Sequence, residues 1–175
     1  MRAWVRGLYV LAWVLLVGVV VWSAFALPEN PASHFGPSGA ADGYMSRAGS
    51  VAVGFAIGAA TLIGLPLLGW ALARGSGAGV NIPHKDYWFA SPERVAAFRP
   101  RFVDDMLLFA AMTGFLLSYG TVEVVLANRR TPPHSGNGMW FALALYLPGT
   151  VWWIFALYRR YRPPQDGTPS AVREN

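Results

Sequence analysis

Two places in the chain hold side chains able to move a proton or meet a cation. His34 and Asp42 share a short polar stretch that Arg47 closes, and Glu123 stands inside an apolar run with Tyr119 one helical turn before it on the same face. A histidine beside a carboxylate can pass a proton or hold a cation. A carboxylate in an apolar run is costly to ionise without a partner. The set reads either as a proton- or cation-responsive site or as a structural ion pair or hydrogen bond that pins the loop to a helix. As metal ligands, His34 and Glu123 with Asp42 or His134 show no diagnostic spacing, so no metal is predicted. His34, His84 and His134 all fall between apolar runs, which argues against a membrane-embedded haem. The chain has no cysteine, which removes thiolate chemistry and disulfides. Gly75-Ser76-Gly77-Ala78-Gly79 follows no strand and lacks the dinucleotide fingerprint, and there is no phosphate-binding loop or serine elbow. The expectation is a protein that binds rather than catalyses, without a cofactor.

The elements that must position these residues follow from composition. Of 175 residues, 54% are hydrophobic and 13% charged, about half the charge of an ordinary soluble domain. The uncharged run from Gly7 to Leu27 would span roughly 32 Å as a helix, enough to cross a hydrocarbon core of about 30 Å. Its arginine-flanked start and Ala24-Phe25-Ala26 end are signal-like, but the run is longer than a secretory signal's core. Further spans are expected over 48–73, 106–128 and 139–158, giving an all-α integral membrane protein with one four-helix domain over 1–162. Residues 163–175 read as a disordered cytoplasmic tail. Of the 14 Lys and Arg, 11 lie on the side of the termini and the middle loop, and 3 (Arg47, Arg129 and Arg130) on the other. That split places both termini in the cytoplasm and the His34 loop outside. The formal net charge of +5 is explained by the ends of the spans and does not call for nucleic acid.

Ser50, Gly54 and Gly58 recur every fourth residue, as do Ala110, Gly114 and Ser118. Such stripes let helices approach closely, within the chain or between copies as a homo-oligomer. Pro66 and Pro148 predict kinks whose freed carbonyls find neighbours. In the middle loop, Ser91-Pro92-Glu93 reads as a cap and first turn, predicting a short interfacial helix that ends before Pro100. Tyr87, Trp88, Phe89 and Phe98 would sit at headgroup depth with Arg94, Arg99 and Arg101 over anionic lipid, or form a cytoplasmic docking surface. Asp104 and Asp105 would begin the third span, favoured by its dipole. Trp140, Trp152, Trp153 and Tyr158 read as interfacial anchors or lipid-facing fill.

The loop carries Leu27-Pro28, His34-Phe35, Gly39, Asp42-Gly43-Tyr44 and Arg47 between two spans, and the middle loop carries Pro83, Asp86-Tyr87-Trp88 and Pro92-Glu93-Arg94. This pattern resembles a bacterial membrane-protein family of unknown function that forms the N-terminal domain of SdpI-type toxin-immunity proteins. Pro31 stands where that family usually has an aliphatic residue, Arg47 where it more often has Lys, and the extra spans of the longer immunity proteins are missing. The resemblance implies a protein of the bacterial inner membrane that meets a peptide outside and signals within. Small size and aromatic-rich spans suggest instead an accessory subunit of a larger membrane complex. Glu123 by itself suggests a proton- or ion-coupled transport element.

Overall fold

The structure, a computed structural model, describes residues 2–77 and 79–163; the expected tail, 163–175, falls almost wholly outside them. Four long helices dominate: α1 (Ala3–Ala26), α2 (Arg47–Arg74), α4 (Pro92–Asn128) and α5 (Gly138–Arg160). Between α1 and α2 lies an antiparallel hairpin, β1 (Ala32–Phe35) and β2 (Ala41–Tyr44), and between α2 and α4 the single turn α3 (Lys85–Trp88). Each long helix is long and apolar enough to cross a membrane. The chain is a mostly helical, multi-pass membrane protein.

The expected interfacial helix and third span are one element. α4 runs for 37 residues, about 55 Å at 1.5 Å per residue, far more than the hydrocarbon core requires. Its first third carries Glu93, Arg94, Arg99 and Arg101, charges that are costly to place in a hydrocarbon core. Pro100 lies inside the helix although an internal proline costs about 3 kcal/mol. Packing on either side offsets that cost: the Phe98 and Phe102 rings stack with centroids 5.1 Å apart, and both are buried with Trp88 and Tyr161. Trp88 and Phe98 are thus core residues, not an open docking or headgroup surface, since Trp88 is 3% exposed and donates from Nε1 to the Tyr161 carbonyl at 2.8 Å. Tyr87 and Arg94 stay at the rim, with the Arg94 guanidinium 4.0 Å from the Tyr87 ring centroid.

α4 is the hub, packing against α1, α2 and α5. Ala12, Leu16 and Val20 of α1, Leu62 of α2, and Ala110 and Ala111 of α4 form the mid-bundle core. Small residues set its spacing: a Cβ on Gly58 would strike Leu16, and one on Gly114 would meet Leu62 and Ala12. Ser118 turns its hydroxyl back to the Gly114 carbonyl, and Ser50 and Gly54 line a cavity of about 260 Å³ between α1, α2 and α4. Pro66 has no N–H for the Leu62 carbonyl one turn earlier, and the Tyr9 hydroxyl donates to that oxygen at 2.7 Å. α5 lies against α4 through stacked Phe109 and Trp153 rings and a Thr113–Tyr146 hydrogen bond; Trp153 is therefore buried, while Trp140, Trp152 and Tyr158 are exposed.

At the end where α1 begins and α5 ends, the structure corrects the place of Asp104 and Asp105. They lie deep within α4 and are buried, too far from its first turn to act on the dipole. Arg2 donates its backbone N–H to Asp104 and its guanidinium to Asp105, and Arg160 and the Tyr161 hydroxyl also reach Asp105. Burial, reinforced by the negative Asp105 beside it, pushes the Tyr161 phenol well above the ordinary tyrosine range. The cluster staples the beginning of α1, the middle of α4 and the end of α5.

Candidate functional site

At the opposite end, the chain leaving α1 must turn back to enter α2. α1 stops at Ala26, with Leu27 extended and Pro28 next, and the loop is closed by backbone bonds from Met45 to Pro31 and from Arg47 to Glu29. The Arg47 side chain is spent in the same closure, its Nε donating to the Pro28 carbonyl at 3.2 Å. Ser46 then caps α2, accepting from the Gly49 N–H. Between these clamps the stretch expected to be a compact set of turns forms the β1–β2 hairpin, with Ala32 opposite Tyr44 and His34 opposite Gly43.

The hairpin is held from two further places. Asn128, the last residue of α4, accepts from the Ala32 N–H at 2.7 Å and donates to the Ala32 carbonyl at 2.9 Å. The α4–α5 loop adds an edge, with Ala40 bridged to His134 and the Ser135 N–H donating to the Gly39 carbonyl at 2.8 Å. Gly39 has φ +84°, and the His134 ring occupies the space that a Cβ would need. Only glycine combines that backbone with so close an approach. His134 Nε2 lies 3.0 Å from the Ser38 carbonyl, and Arg130 donates to the His134 carbonyl.

These two loops enclose an open cleft of about 590 Å³, whose walls include His34, Phe35, Asp42, His134, Asn137 and Trp140. His34 Nδ1 pairs with Asp42 Oδ1, and both side chains are largely exposed, at 74% and 51%. The pair can therefore change partners when a ligand arrives. Among the described residues, no group of three or more His, Cys, Asp and Glu could hold a metal ion, and His134 is turned to backbone carbonyls.

Glu123 and Arg47 do not join that cleft. Tyr119 donates to Glu123 Oε1 at 2.5 Å, and this pair abuts Gly138 at the start of α5, where a Cβ would collide with both side chains. The hydrogen bond lies within α4, and the pair packs closely against the start of α5. Sequence reasoning passed over Asn128, whose signal is a lone amide ending an apolar run, and the buried staple of Arg2, Asp104, Asp105, Arg160 and Tyr161. In the first part of α4, Arg99 Nε donates to the Ala73 carbonyl at 3.0 Å and the Arg101 guanidinium lies 5.1 Å from the Trp88 ring centroid.

Residues 10–59, which cover most of α1, the hairpin and the first part of α2, match a family described as a domain of unknown function, DUF1648. The match takes in the hairpin wall of the cleft, carries no link to SdpI-type proteins, and leaves the α4–α5 wall outside it. No curated protein and no solved structure matches the chain.

Proposed function

We propose that the chain is a non-catalytic protein of the bacterial cytoplasmic membrane, with both termini inside, which receives a peptide in the cleft of an outward-facing cap. The cleft carries this reading. Two loops distant in sequence are stitched by backbone hydrogen bonds into one rim, and the concavity between them has a volume in the range of ordinary ligand sites. Its lining suits a peptide: His34, Asp42 and Asn137 offer polar partners, Phe35 and Trp140 offer apolar faces, and hairpin backbone lies between them. The distribution of Lys and Arg supports the orientation, and the resemblance to immunity-type proteins supports a peptide as the ligand.

Because the chain has no cysteine, single reporters are clean. Ser38→Cys should react with an impermeant maleimide on intact cells and Ser76→Cys only after permeabilisation; the reverse pattern overturns the orientation. A photocrosslinker replacing Trp140 should capture a peptide supplied from outside, and failure to capture one overturns the cleft's role. The accessory-subunit reading rests on α5, where Phe141, Leu145, Trp152 and Phe155 are exposed. A crosslinker at Phe155 that captures a membrane subunit, with none at Trp140, would favour it.

A further inference from the structure

We propose that the corner between the end of α2 and the Pro100 stretch of α4 is a headgroup site for an anionic phospholipid. Trp70, Ala73 and Arg74 of α2 and Arg99, Pro100 and Val103 of α4 line a cleft of about 330 Å³. The Arg74 guanidinium is fixed 3.7 Å from the Trp70 ring centroid. Arg99 is fixed by the bond from its Nε to the Ala73 carbonyl, which leaves its Nη donors uncommitted. Neither guanidinium has a carboxylate partner among the described residues, and Asp104 and Asp105, farther along α4, are engaged by Arg2 and Arg160. Two anchored guanidinia on one cleft without a counter-ion complement a phosphodiester, whose oxygens accept from the guanidinium fork.

The walls distinguish a lipid from free phosphate. Trp70, Pro100 and Val103 supply apolar surface within the cleft, and Leu67 and Leu68, on the last turns of α2, are 59% and 52% exposed. Acyl chains descending from the headgroup would lie along that face. The cleft also sits where α2 ends, the depth at which a long apolar helix meets the phosphate layer. It is a built site rather than a diffuse basic surface: Arg159, at the same end, has no carboxylate partner among the described residues and does not line the cleft.

The test is native mass spectrometry of the full chain, delipidated in detergent and then given equal amounts of phosphatidylglycerol and phosphatidylcholine. Wild type should retain phosphatidylglycerol preferentially, by about five-fold for each arginine. Arg74→Gln should lose about five-fold of that preference at an unchanged melting temperature, Arg74→Gln with Arg99→Gln should bind the two lipids alike, and Arg159→Gln should bind as wild type. Wild type without a preference overturns the proposal, as does an Arg74→Gln variant that keeps it or an Arg159→Gln variant that loses it equally. Displacement of phosphatidylglycerol by millimolar inorganic phosphate also overturns it, because a headgroup anion alone would then suffice.

Discussion

At the end where α1 begins and α5 ends, Asp105 has a side chain 2% exposed and is bound by Arg2, Arg160 and Tyr161, whereas at the hairpin end Asp42 is 51% exposed and pairs with His34. Both are acids beside bases, and burial separates their roles. The buried carboxylate has no water to fall back on, so removal of one partner strands a charge. The exposed pair is screened and holds the fold weakly, which leaves its donors and acceptors free for a ligand. One end is closed by charge, aromatic stacking and a tryptophan hydrogen bond; the other is held mainly by backbone bonds around an open cleft.

Breaking the closed end should have the largest effect. Asp105→Ala takes from Arg160 its buried partner and from Arg2 one of its two, and should destabilise the protein by about 3–5 kcal/mol, seen as loss of the folded species in detergent size exclusion and thermal unfolding. Gly58→Val comes next: its side chain would collide with Leu16 and force α1 and α2 apart, at about 1–3 kcal/mol, read from the melting temperature. Tyr161→Phe should cost about 1–3 kcal/mol through the hydrogen bond lost to Asp105. It should also alter the pH profile. The folded-state phenol is raised above its unfolded value, so its contribution is complete below about pH 10 and fades as pH rises through the folded value. Wild type should therefore lose melting temperature above that pH more steeply than Tyr161→Phe, and parallel alkaline limbs would contradict the role given to the buried phenol.

The helical membrane architecture was legible because long uncharged runs admit few other readings. Pro66 is a local signal, and the free carbonyl it implies is the one that Tyr9 meets. The staple was not legible, because Arg2 and Arg160 reach Asp105 across 103 and 55 residues and no local spacing encodes such contacts. For the same reason Asp104 and Asp105 read as a helix start: the cap at Ser91 and the proline at 100 suggest two helices, and only the aromatic cluster around Trp88 shows why one helix passes through. At the hairpin end, His34 and Asp42 could be named from their loop. The edge supplied by His134 and the clamp of Asn128 are long-range pairings, and the separation of Glu123 from the cleft depends on how α5 begins.

The most direct test of the division between the two ends is made on the His34→Ala, Asp42→Ala double variant, by recording its melting temperature beside its peptide crosslinking yield from position 140. Loss of an exposed pair should cost under about 1 kcal/mol and move the melting temperature by no more than about 4 °C, while the yield falls to background. A variant that unfolds, or one that folds and crosslinks as wild type does, would contradict the assignment of the cap as the binding end.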